Sequence, residues 1–352
     1  MCNCPLHPRS PLASRPWSRR HLLGALSATA LLPLLAGAQE RAAATGASGI
    51  IDVHAHFQPP AIRALNLPGP MNAWTLQRQL DDMDQAGVSR AMLSITTPGV
   101  PLTGTQAAKI ARESNEYAAS LARDHGNRFG FFTAVPMDDL DAALKEIAYG
   151  FDTLGAHGVG LFTSYDGKWL GDPHFDPVFA ELERRRSIVY VHPTTAACCT
   201  RLIAELADTL IEYGTDTTRA IASYVYRGAA LRYPNVRMIW SHSGGTMPFL
   251  IERFDGADRT SAAQGHKVAS FREQIARCYF DIAQASNAVA TTALRAVVPM
   301  QKIVFGTDYP FRTSVEHVNS LHAAGVFNPQ ELEALFHGNV EQGMPELLRL
   351  HR

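Results

Sequence analysis

The sequence predicts an α/β protein: a distorted (β/α)8 TIM barrel with a helical insertion after the fifth strand. Three observations carry this reading. After Ser48, short β-rich runs alternate with amphipathic helical patterns, which is the signature of a parallel sheet. There are eight such runs, the count a closed barrel needs. No glycine-rich phosphate loop follows the first run, which weakens the competing open, doubly wound sheet.

The runs follow in order. They are "GIIDVHAHF" (49–57), "SRAMLSI" (89–95), "FGFFTAVP" (129–136) and "GVGLFT" (158–163), then "SIVYVHP" (187–193), "VRMIWSH" (236–242), "CYFDIA" (278–283) and "KIVFGTDYP" (302–310). Helical patterns lie between them. "TLQRQLDDMDQAG" (75–87) puts Leu76, Leu80 and Met83 on one face. "DLDAALKEIAYGFDTLGAHG" has glycine after its last turn, as helices often do. "FDPVFAELERRR" (175–186) is a third helix. Between His192 and Val236 the chain runs roughly 40 residues, more than a typical connection, with a helical stretch around 200–232. That excess is the predicted insertion near the barrel mouth.

Composition sets the outer bounds. The chain has 352 residues, 46% of them hydrophobic and 18% charged, enough for a sizeable core. Its net charge of −1 gives no electrostatic case for nucleic acid or a membrane surface. Residues 1–38 read as a twin-arginine (Tat-type) signal. Arg19 and Arg20 precede an apolar stretch at 22–35 and a small-residue "AGA" at 36–38. The stretch is short for a membrane span. The expectation is therefore export, cleavage and a periplasmic single-domain barrel at 49–348 with no stable membrane insertion. Beyond the leader, Cys198, Cys199 and Cys278 are too few for a disulfide framework.

Polar residues mark the strand ends. His54 and His56 close the first run, and alternate residues of a strand share a side. His192 closes the fifth run, His242 the sixth and Asp308 the eighth. Barrel active sites lie at the C-terminal rim. A buried polar group is costly without a partner. Four strands delivering such groups to one rim predict a metal centre. Three histidines and one aspartate suit Zn²⁺, with Mn²⁺ possible. The fourth run has no lysine before Lys168, so no carboxylated lysine is available there to bridge two ions, and one ion is predicted. Trp74, in "NLPGPMNAWT" (66–75), is a candidate aromatic wall of the pocket.

The stretches "DVHAHFQPP", "LGDPHFDPVFAELERRRSIVYVHPT", "YPNVRMIWSHSGGTMPFLIERF", "CYFDIA" and "VFGTDYPF" resemble the amidohydrolase superfamily. Within it they resemble the branch of aminocarboxymuconate semialdehyde decarboxylase and the aromatic acid decarboxylases. "TSYDGKWLGD" and "GTDTTRAI" further resemble its 6-methylsalicylate decarboxylase-type members. The resemblance covers about residue 49 to about residue 348. It implies that His54, His56, His192 and Asp308 are the metal ligands. It implies that His242 is the acid/base beside the ion, with Asp308 sharing the catalytic work. It implies that Arg253 reaches a neighbouring subunit's pocket in a homodimer and anchors a substrate carboxylate. Asp281, in "YFDIA", is expected to hold a neighbouring side chain.

The implied reaction is non-oxidative decarboxylation of a small aromatic or unsaturated, salicylate-like carboxylic acid. The same residues also suit hydrolysis of an amide, ester or lactone, because a bound ion lowers the pKa of its water. The resemblance tilts the choice to the decarboxylase.

Overall fold

All eight apolar runs form strands in the computed structural model, which describes residues 49–265 and 269–351. The strands are β1 (Ile50–His56), β2 (Val88–Ser94), β3 (Phe129–Ala134), β4 (Gly158–Phe162), β5 (Ile188–His192), β6 (Arg237–Trp240), β7 (Tyr279–Asp281) and β8 (Ile303–Val304). They pair parallel, each with the next in chain order. Parallel strands are covered on both faces, which is why these runs are apolar without strict alternation. β3 and β5 are buried along their whole length.

A helix follows each strand: α1 (Leu76–Ala86), α2 (Gly104–Asp124), α3 (Leu140–Asp152), α4 (Asp176–Arg184), α5 (Glu212–Tyr226), α6 (Ile251–Ala263), α7 (Ala288–Arg295) and α8 (Ser314–Ala324). Local chemistry sets their ends. Thr75 caps α1 by accepting the Arg78 N–H, and Gly87 ends it in the left-handed region at φ 75°. Asp139 caps α3 in the same way. After β5 the helical stretch is α5, followed by a turn at Ala229–Arg232. Residues 193–211, ahead of α5, form a long connection with short 3-10 turns at Ala197–Cys199 and Asp208–Leu210. The signal segment at 1–38 lies outside the described residues. No helix among the described residues is long and apolar enough to cross a membrane.

Two irregularities position the rim. β1 holds one extra residue against β2, since Asp52 faces Ala91 and Ala55 faces Leu93. Ile51 and Val53 pack in one apolar cluster with Phe132, Tyr190, Ile239 and Val304. Past the bulge, the His54 ring also meets Tyr190, at 5.0 Å. The second irregularity is β8, which keeps ladder pairing for only two residues of the expected run. A side chain at Gly306 would come within 2.8 Å of the His54 Cβ, and Asp308 adopts φ 64°, so the chain leaves the ladder there. The seam still closes. Val53 N–H donates to Phe305 O at 3.0 Å, His56 N–H to Tyr309 O at 2.8 Å, and Asp308 N–H to His54 O at 2.8 Å.

Candidate metal centre and active-site cavity

β1, β5 and the segment after β8 bring His54, His56, His192 and Asp308 together. One ligand atom from each lies within 4.8 Å of the others, and all four residues are buried. His54 Nε2 and His56 Nε2 stand 3.1 Å apart, and Asp308 Oδ1 lies 3.2 Å and 3.0 Å from them. His192 Nε2 is 3.8 Å from the same oxygen.

The opposite ring nitrogens are all engaged. His54 Nδ1 meets Asp281 Oδ2 at 2.9 Å. His56 Nδ1 meets Ser94 Oγ at 3.1 Å and Ser94 O at 3.3 Å. His192 Nδ1 meets Pro193 O at 2.8 Å. A proton on each Nδ1 satisfies these acceptors and leaves three Nε2 lone pairs converging beside a carboxylate. Converging lone pairs repel unless a cation sits among them, so the donor set fits a divalent metal ion. Asp281 thus holds a neighbouring ring, as expected from the sequence.

Charge in the site is arranged for that ion. Burial lowers the pKa of His192 to about 3 and also lowers that of His56. Burial would lower His54 as well, but the Asp281 and Asp308 carboxylates more than offset it and push its pKa up to about 10. Burial alone would raise Asp308, but hydrogen bonds from His192, His242 and His54 hold it well below the ordinary carboxylate value. Without a metal, then, one proton resides on His54 and compensates the buried carboxylates.

His242 is set apart from the ligands. Its Nε2 lies 3.5 Å from Asp308 Oδ2, the oxygen facing away from the other imidazoles. Its Nδ1 is buried with no hydrogen-bond partner among the described residues. The ring is therefore not locked into one tautomer as the other three are. Its backbone is held instead. His242 and Ser243 take φ values of 53° and 58°, unusual for residues other than glycine, and Asp281 Oδ1 accepts the His242 N–H at 2.9 Å. Gly244 and Gly245 continue the left-handed path. A Cβ on Gly245 would sit 2.0 Å from Gly214 O on α5. Gly245→Ala is accordingly expected to cost ~2–3 kcal/mol of stability, read as a lower urea midpoint at unchanged m-value.

Gln284 is a site residue that sequence reasoning missed. Its side-chain amide donates to Asp308 Oδ2 at 3.1 Å and it faces the cavity. It sits just past β7 in "DIAQAS", with no motif to mark it.

Above the cluster opens a cavity of about 850 Å³ with His192, His242 and Asp308 in its wall. Trp74 does not line it, contrary to expectation. The side chain is buried in the core, with its indole N–H donating to Gln79 Oε1 at 2.7 Å, because α1 offers that acceptor on the inner side. The residues just before it, 67–72, line the cavity instead. The aromatic walls near the cluster are Phe311, whose ring lies 5.9 Å from that of His56, and Tyr213, 5.9 Å from that of His192. Arg253 is exposed on α6 and does not line the cavity of its own chain. Lys168 lies on a short hairpin beyond β4, paired with Asp166 at 3.7 Å.

An eight-stranded α/β barrel with three imidazoles and one carboxylate at its C-terminal rim defines a metal-site barrel of the amidohydrolase type. The chain belongs to the amidohydrolase family, whose model, described as Amidohydrolase, matches residues 51–341. It is similar to 6-methylsalicylic acid decarboxylase of Penicillium expansum, at 36% identity over 273 residues, covering 74% of this chain and 84% of that one. It is similar to 2-amino-3-carboxymuconate-6-semialdehyde decarboxylase of Dictyostelium discoideum, at 26% identity over 68% of each chain. Among solved structures, a dihydroxybenzoic acid decarboxylase from Polaromonas, with bound manganese and 2-nitroresorcinol, shares the fold. Its TM-score is 0.73 at 19% identity, covering 87% of this chain and 98% of that one.

Proposed function

We propose that the protein is a metal-dependent, non-oxidative decarboxylase of a hydroxyaryl carboxylic acid. The observation that carries this reading is the buried three-histidine, one-aspartate cluster opening into a cavity beside an unlocked fourth imidazole, His242. The decarboxylases among its relatives add support from outside the chain. His54, His56, His192 and Asp308 would hold the ion. When bound, it supplies positive charge that steadies the substrate carboxylate and a neighbouring oxygen. Zinc is the proposed metal, and manganese suits the same nitrogen and oxygen donors.

The remaining chemistry belongs to the chain. His242, as imidazolium, gives its proton to the ring carbon that carries the carboxylate, forming a C–H bond. The C–C bond then breaks, its electron pair returns to the ring and CO₂ leaves. Neutral His242 recovers a proton from solvent through the cavity. Asp308 Oδ2, 3.5 Å away, favours the charged imidazole, and Gln284 keeps that oxygen turned toward it.

The test is a panel of hydroxybenzoic acids, esters and lactones assayed with metal-loaded protein. CO₂ release from the acids is the expected result; hydrolysis without CO₂ overturns the reading.

The protein is further proposed to act as a homodimer in which Arg253 completes the partner subunit's site, and to be exported by the signal at 1–38. Arg253→Ala and His54→Ala proteins are each expected to be nearly inactive. Mixed and re-paired, they should recover activity that neither has alone. Confirmed mixed dimers with no recovery would refute a shared site.

A further inference from the structure

We propose that the substrate is a monocarboxylic acid with an uncharged apolar extension on the ring edge remote from its carboxylate. This deepens the decarboxylase reading and rests on it. The first observation is size. A cavity of about 850 Å³ is near the top of the ~300–1,000 Å³ range for whole drug-sized ligands, more than one ring fills.

The second observation is the lining away from the metal centre. Ile62, Leu67, Pro68 and Pro70 come from the segment after β1, Leu210 from the connection after β5, and Phe311 from the segment after β8. Leu210 and Phe311 are 71% and 42% exposed. Large apolar side chains left open at the mouth of a site mark a surface meant to be covered. The cavity they share with His192, His242 and Asp308 makes the covering group part of the substrate.

The third observation is charge. No lysine or arginine lines the cavity among the described residues. The titratable groups in its wall are His192, His242, Asp308 and Tyr213. Nothing in this chain's own cavity offers an ion-pair partner to a second carboxylate out on the extension. A charged group placed there would lose hydration without compensation.

The test uses 2-hydroxybenzoic acids bearing hydrogen, methyl, propyl or pentyl on the ring, together with an analogue carrying a second carboxylate. Each buried methylene is expected to raise kcat/KM about fourfold. The pentyl acid should exceed the methyl acid by at least about tenfold, and the dicarboxylate should fall below both. Leu210→Ser, at an exposed position that tolerates a polar side chain, should shrink the pentyl-to-methyl ratio at least about threefold. Dissociation constants of the matching alkylphenols, read by calorimetry, report the same preference without turnover. A flat series in both readouts overturns this proposal, including the case in which a second copy of the chain covers the mouth. Absence of CO₂ from every acid, with the alkylphenol preference intact, overturns the decarboxylase reading and leaves the apolar extension standing.

Discussion

Replacing His242 with asparagine is expected to lower kcat by about 10²–10⁴-fold while the protein keeps its metal. The two outcomes separate because the residue touches only one side of the site. Its Nε2 approaches Asp308 Oδ2, whereas Asp308 Oδ1 faces the other imidazoles. The four ligand atoms converge without it. Asparagine preserves the backbone better than most residues, because it tolerates positive φ and His242 sits at 53°. Metal content by elemental analysis and CO₂ release by a coupled assay are the two readings. An inactive protein that has also lost its ion would place His242 among the ligands instead.

Removing the metal is expected to abolish turnover altogether, and the affinity for the ion should climb with pH. In the metal-free protein His54 titrates near 10, above the ordinary imidazole value of 6.5. A raised folded-state pKa contributes stability that is fully present below 6.5 and is lost as pH rises through about 10. The ion must displace that proton to reach Nε2. Between pH 6.5 and 10, each unit of pH is therefore expected to tighten metal binding about tenfold, with one proton released per ion bound. The increase in Tm on adding metal should widen over the same window. Calorimetry in buffers of different ionisation heat counts the proton directly. A pH-independent affinity would show that His54 is neutral before the ion arrives.

The barrel and its donor set were legible in the sequence because both depend on local pattern. Apolar runs with a histidine or aspartate at the last position announce a strand and its rim residue together, as at His192 and Asp308. The capping residues Thr75 and Gly87 fix α1 to within a residue of the reading. What escaped depended on contacts distant in sequence. Trp74 and Phe311 are both aromatic residues beside loops, and only the placement of Gln79 sends one into the core while the other stays at the cavity. Gln284 meets Asp308 through a chain path that leaves the ladder at Gly306 and Asp308, which no local periodicity encodes. The start of α5 at Glu212 was also hidden, since residues 200–211 carry helix-forming side chains yet settle into short turns.

The seam between the first and last strands has a consequence for how the protein matures. His54 O accepts the Asp308 N–H, and His56 N–H donates to Tyr309 O, so the backbone bonds that shut the barrel belong to the ligand residues themselves. These partners come from opposite ends of the domain and are the slowest kind of contact for a chain to find. During synthesis the amino-terminal half of the donor set waits, incomplete, until the final strand has emerged. Capture of the ion then records that the whole circuit has been completed, and a nascent or truncated chain lacking the last strand has no means of mimicking it.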